Sequence, residues 1–133
     1  MDFIFGRGTA VFDGCKIQYV SSRWGNNGNN IAPSTAAGNT YGFLFINSTF
    51  AKDSGTGTNV INFGRSWDES VSTGAYVAGS SPNGQAVIRE SAIEGHIKLQ
   101  APWGTSTSGR AFSATGNRFA EYCNSGPGAS HVR

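Results

Sequence analysis

Ala10-Val11-Phe12-Asp13-Gly14-Cys15-Lys16-Ile17 returns twice along the chain as a pattern. It returns as Phe43-Leu44-Phe45-Ile46-Asn47-Ser48-Thr49-Phe50 and as Ala86-Val87-Ile88-Arg89-Glu90-Ser91-Ala92-Ile93. The third place is large and apolar (Phe12, Phe45, Ile88), the sixth is Cys or Ser (Cys15, Ser48, Ser91), and the eighth is apolar (Ile17, Phe50, Ile93). The units are offset by 33 and 43 residues. Each reads as two short strands around a corner such as Asp13-Gly14 or Ile46-Asn47. Upstream of each lies another apolar stretch: Phe3-Ile4-Phe5, Ile31-Ala32-Pro33 and Val60-Ile61-Asn62-Phe63. Two or three short strands per repeat, with loops of variable length between, are the mark of a solenoid. The pattern predicts an all-β parallel β-helix in which like places stack. An antiparallel sandwich also has many short strands, but it has no need of a small residue fixed at the sixth place.

Composition agrees with this reading. The chain has 133 residues, enough for one domain. It holds 19 glycines, and 14% of its residues are charged against about 25% in an average protein. Gly, Asn, Ser and Thr are poor helix formers and good turn formers. Trp24–Asn30 and Ser54–Asn59 therefore read as loops. The formal net charge is +2 with no run of Lys or Arg, so a nucleic-acid partner has no electrostatic footprint. No stretch of about 18 apolar residues is present to span a membrane, and the first residues do not form a signal peptide. Cys15 and Cys123 make no disulfide framework; Cys15 reads as a small buried hydrophobe. Position 1 falls inside a strand with no cap before it, so the β-helix is expected to be N-terminally truncated. Residues 1–133 are read as one partial domain, with a tail from about 124.

Two stretches carry candidate chemistry: Asp2-Phe3-Ile4-Phe5-Gly6 and Gly64-Arg65-Ser66-Trp67-Asp68. If the first strands of successive coils stack, Asp2 and Arg65 share one sheet, with the Ile31–Pro33 coil between them. Strands lie about 4.8 Å apart, so two steps are about 10 Å. An extended Arg spans that distance if the intervening residue is small, as Ala32 is. An Arg beside a carboxylate keeps it ionised and orients it through paired hydrogen bonds. An ionised, oriented carboxylate can act as a nucleophile. Trp67 shares the face of Arg65 by the period of two, where an indole can stack on a sugar ring. On spacing alone, Asp2 is more often a solvated strand-end acid, and Trp67 divides evenly between core and site. His96 has no partner in view and reads as structural; His131 lies in the tail. No metal-ligand cluster, phosphate loop or Gly-x-Ser-x-Gly stretch is present.

These residues resemble those of the pectinesterase (pectin methylesterase) family. The resemblance rests on Asp2-Phe3-Ile4-Phe5-Gly6, on Gly64-Arg65-Ser66-Trp67, and on Asn117-Arg118-Phe119-Ala120-Glu121-Tyr122 followed by Ser125-Gly126-Pro127-Gly128-Ala129. It covers essentially the whole chain. Ser66 stands where many members have Pro. The loop Thr73–Asn83 and Pro102-Trp103 look more like bacterial members. The resemblance implies a right-handed parallel β-helix and de-methylesterification of pectin to a carboxylate and methanol, with no metal or organic cofactor. It implies that Asp2 is the nucleophile, that Arg65 holds it, and that Trp67 and Phe5 contact the substrate, a methyl-esterified polygalacturonate. The family's general acid/base and its oxyanion glutamines lie N-terminal to the Asp-Phe-Ile-Phe-Gly stretch. The chain alone is therefore expected to be inactive or nearly so. Its first coil is expected to be an unpaired edge open to self-association. A secreted, periplasmic or outer-membrane location is implied for the full-length family member. A non-catalytic module binding acidic polysaccharide, and an esterase for short oligogalacturonides or other esters, are the competing readings.

Overall fold

The computed structural model describes residues 2–22 and 25–129; His131 lies outside them. Ten strands and no helix are found among the described residues: β1 (Asp2–Gly6), β2 (Ala10–Asp13), β3 (Lys16–Tyr19), β4 (Asn29–Pro33), β5 (Phe43–Ile46), β6 (Thr49–Lys52), β7 (Asn62–Gly64), β8 (Gln85–Arg89), β9 (Ala92–Ile93) and β10 (Arg118–Tyr122). They form three sheets, β1-β4-β7, β2-β5-β8-β10 and β3-β6-β9, and every pairing is parallel. A chain that visits three parallel sheets in turn is a parallel β-helix, as the repeat predicts. The registers are those of the sequence alignment: Ala10 faces Phe43, and Phe43 faces Ala86. The strand β4 begins at Asn29. The stretch read as a loop through Asn30 is thus shorter by two residues, because Asn29 pairs with Asp2 on one side and Asn62 on the other.

The corner between the second and third sheets explains the sixth place. Gly14, Asn47, Glu90 and Cys123 stack there, all with φ between 50° and 67°. Gly and Asn enter this left-handed region at little cost; Glu and Cys do not. The next residue in each coil is tied to its neighbour. The Cys15 amide donates to Ser48 Oγ (3.2 Å), the Ser48 amide to Ser91 Oγ (3.1 Å), and the Ser91 amide to Asn124 Oδ1 (3.1 Å). A small side chain that accepts a hydrogen bond is needed at every step.

Asn124 reveals a fourth repeat that sequence comparison missed. β10 pairs with β8 so that Phe119 faces Ala86. Its third and eighth places are Glu121 and Gly126, which break the apolar pattern. The first residues of the stretch read as a tail sit on this coil. The Ile93 amide donates to the Ser125 carbonyl (2.8 Å), the Gly128 amide donates to the Ile93 carbonyl (3.0 Å), and Ala129 is buried.

The core is a column of rings running along the helix. Phe12 stacks on Phe45 at 4.4 Å, and Phe45 meets Phe50 and Phe50 meets Phe63 at 5.3 Å. Phe63 meets Trp103 at 5.5 Å, and Trp103 stacks on Phe119 at 4.3 Å. Cys15 is half-buried and so is not the fully buried hydrophobe expected; it precedes β3, an outer strand of its sheet among the described residues. Cys15 and Cys123 are both unpaired. Three coil steps separate them, roughly 14 Å, against a disulfide limit near 7 Å between Cα atoms.

Candidate active site

The sheet β1-β4-β7 brings the two singled-out stretches together. Asp2, Asn29 and Asn62 are aligned across it, as are Ile4, Ile31 and Gly64. A Cβ on Gly64 would fall 2.3 Å from the Ile31 carbonyl oxygen, so only glycine allows this approach of β7 to β4. The regular strand ends there, yet the parallel ladder continues: the Arg65 amide donates to the Ile31 carbonyl (3.1 Å) and the Trp67 amide to the Pro33 carbonyl (3.0 Å). Arg65 therefore enters beside Ala32, which faces Phe5 on the other side.

The guanidinium reaches back across β4 to Asp2. Arg65 Nε donates to Asp2 Oδ1 and Nη2 to Oδ2, each at 3.0 Å, a two-pronged fork. The side chains are 20% (Asp2) and 32% (Arg65) exposed, so the pair opens to solvent on one side. Trp67 meets Phe5 edge-on, with ring centres 5.8 Å apart. Phe5 itself is 61% exposed and Trp67 is half-buried, so the two rings form a surface wall and not core. Arg65 also lines a polar pocket of about 230 Å³ with Asn27, Asn29, Asn62 and Lys98. The fork is thus flanked by an aromatic wall and by a polar hollow. Asp2, Arg65, Trp67 and Phe5 are all brought to this one place.

Sequence reading missed a second fork. Arg110 donates from Nε to Asp68 Oδ2 (2.8 Å) and from Nη2 to Oδ1 (2.9 Å). Ser66 Oγ donates to Oδ1 (2.8 Å) and Ser108 Oγ to Oδ2 (2.6 Å). The Asp68 side chain has no exposed surface. Burial alone pushes its carboxyl up; the hydrogen bonds from Arg110, Ser108 and Ser66 outweigh this and hold it below the usual value. The Gly84 amide bonds Ser66 Oγ (2.8 Å), so the hydroxyl at this position has a task that Pro cannot perform. Arg118 is a further staple, donating to the Asn83 carbonyl (Nε, 3.0 Å) and the Ala36 carbonyl (3.1 Å). The signal for Asp68 was in view, one residue beyond Trp67; its partner is 42 residues on, in a loop with no period.

His96 is fully buried, and neither ring nitrogen has a hydrogen-bond partner. Burial holds its imidazole below the usual value, against the opposite pull of Glu94. Among the described residues no group of three or more His, Cys, Asp or Glu could hold a metal ion.

No protein-family model matches the chain. Known proteins do. A pectinesterase of Ralstonia nicotianae is 52% identical over 138 residues, which cover 98% of this chain and 35% of that protein. The solved pectin methyl esterase of the rice weevil superposes with a TM-score of 0.89 at 39% identity, covering 94% of this chain and 38% of the other. The solved YbhC of Escherichia coli, named as a candidate acyl-CoA thioester hydrolase, gives 0.79 at 32% identity, covering 93% and 33%. A pectin methylesterase variant solved with a hexasaccharide gives 0.74 at 27% identity, covering 96% and 40%. The chain spans about a third of the length of the curated relatives it matches. Over nearly all of its own length, and in sequence and fold alike, the chain is similar to one stretch of the pectinesterases, and the resemblance to that family is shown.

Proposed function

We propose that the Asp2–Arg65 fork is the reacting centre of a carboxylic ester hydrolase acting on methyl-esterified polygalacturonate. The observation that carries this reading is the fork itself: a carboxylate aimed by two parallel N–H···O bonds and open on one side. In this mechanism an Asp2 oxygen attacks the ester carbonyl carbon. The C–OCH3 bond breaks, and methoxide leaves as methanol once a general acid protonates it. Water then cleaves the resulting anhydride, releasing the polymer carboxylate and restoring Asp2. Phe5 and Trp67 supply the wall for a sugar face, and Arg65 holds the nucleophile. Arg65 stays charged throughout and is no proton donor. The acid therefore has to come from another residue, and in the resembled family it precedes this stretch. Proton transfer of this kind contributes roughly 10²–10⁴-fold.

A second reading keeps the site as a binder of acidic polysaccharide without turnover. It is favoured by the aromatic wall and polar pocket, which are both formed by the described residues. The same geometry leaves β1, β2 and β3 as the outer strands of their sheets among the described residues. Such edges offer unpaired N–H and C=O groups to a second chain, so self-association through this coil is part of the proposal.

Methanol release from methyl-esterified pectin, together with calorimetric binding of a methyl-esterified oligogalacturonide, tests both readings. Release that disappears in Asp2→Asn supports the esterase. Binding that is lost in Trp67→Ala, with no release by the chain or by the chain joined to the preceding stretch of a pectinesterase, supports the binding module. Neither binding nor release overturns both, and turnover of an acyl-CoA thioester in place of pectin moves the substrate class.

A further inference from the structure

Residues 65 to 68 alternate. Arg65 and Trp67 face the candidate site, and Ser66 and Asp68 face the interior of the loops, as an extended segment requires. After Gly64 the outward pair has two backbone bonds to β4, and no further strand pairs with it among the described residues. The inward pair is fastened on every side. The Thr107 amide donates to the Ser66 carbonyl (3.1 Å), and the Asp68 amide donates to Thr107 Oγ1 (2.9 Å). The four donors on Asp68, two from Arg110 and one each from Ser66 and Ser108, fill the roughly four lone-pair sites of a carboxylate. The Arg110 guanidinium is capped by the Tyr76 ring, 3.9 Å from Cζ to the ring centre. It also donates to Asn83 Oδ1 (3.2 Å), which ties the far end of the 69–84 loop to the same point.

We propose that Asp68 and Arg110 are positioning residues: their buried fork fixes the 65–68 segment, and through it the orientation of Arg65 on Asp2 and of Trp67 on Phe5. A long Arg side chain has many rotamers to choose among. Its aim at Asp2 therefore depends on how firmly its own backbone is held. The buried fork lies three residues along the same segment and carries most of the side-chain bonds that hold it.

That the outer fork is the reacting pair rests on the proposed function. The test reads geometry and not turnover, so the two ideas fail separately. In 15N-labelled protein, the solvent exchange of the Arg65 Nε–H and of the Trp67 indole N–H is measured in Ser108→Ala, Arg110→Lys and Asp68→Asn. The Phe45 amide serves as a core reference. Arg110→Lys keeps the charge but loses the fork. The expected result is that Arg65 Nε–H exchange quickens by roughly tenfold or more in Arg110→Lys and Asp68→Asn, with the Phe45 amide unchanged and Ser108→Ala intermediate. If Asp68→Asn does not fold, the other two variants give the same reading. Parent-like exchange at Arg65 and Trp67 in variants whose melting temperature has fallen overturns the proposal, because the fork then contributes stability alone.

Discussion

The two arginine–carboxylate forks have nearly the same local geometry and opposite surroundings. In each, Nε and Nη2 of an Arg meet the two oxygens of an Asp, at 3.0 Å in the outer pair and at 2.8 and 2.9 Å in the inner one. Asp2 has Arg65 and an open side; Asp68 has four donors and no exposed surface. A half-open pair gains little stability, because water competes for both partners. A buried pair is a weak gain over a well-packed apolar core, but it is expensive to break, since the survivor is left charged and dry. The outer fork is thus free to meet a ligand, and the inner one is bound to the loops it joins.

The sharpest way to break the comparison is to neutralise each acid in turn. Asp68→Asn is expected to lower unfolding stability by about 3–5 kcal/mol, and Asp2→Asn by about 1 kcal/mol or less. Denaturant unfolding of both variants checks this, and equal losses would erase the distinction. Acid titration sharpens it next. Asp68 is held below its usual value, so the unfolded chain takes up its proton first. Its contribution is present above the unfolded value near 3.9 and is lost as pH falls from there through the native value. His96 is a base held below its usual value. Its contribution is complete above about 6.5 and fades as pH falls from there. Stability against pH should therefore decline in two steps, the upper removed in His96→Leu and the lower reduced in Asp68→Asn, which leaves the part from Asp53, whose carboxyl is likewise held below its usual value by Thr56 and Ser21. A single step would mean that one of the two groups titrates as it does in the unfolded chain.

Smaller effects separate the corner ladder from the surface. Ser48→Ala leaves the Cys15 amide without its acceptor and should lower the unfolding free energy by about 1 kcal/mol, read from the denaturation midpoint. The Arg7–Glu69 pair lies at 3.4 Å with the Arg side chain 58% exposed. Arg7→Ala should change the midpoint by no more than about 0.5 kcal/mol. A loss there as large as that of Ser48→Ala would show that surface charge matters more to this fold than the buried fork implies.

Legibility in the sequence follows periodicity. The three repeats were visible because stacked places need the same residue type, and Phe12, Phe45 and Ile88 supply it. The approach of Asp2 and Arg65 was visible for the same reason, since first strands align and Ala32 leaves room. The fourth repeat was hidden because Glu121 and Gly126 stand in apolar places of a coil that no further strand covers among the described residues. The Asp68–Arg110 fork was hidden more deeply. It joins loops of two coils, and loops carry no register that would say which residues meet. Arg118 belongs to the same class: it was quoted as part of a motif, but its staple runs from the start of β10 to Ala36 and Asn83, which lie in two separate loops.

The corner ladder has a direction. In each step the amide of an earlier coil donates to a side chain of the next, from Cys15 to Ser48, Ser48 to Ser91 and Ser91 to Asn124. A chain made on a ribosome emerges from its N-terminal end. Each corner must then wait for the coil after it, 33 or 43 residues later, before its amide is satisfied. At synthesis rates of about 5–20 residues per second, that wait is roughly 2–9 s per coil. The growing end is thus always one turn ahead of the last finished corner, and a pause in synthesis would leave a single exposed amide there while every corner behind it stays closed.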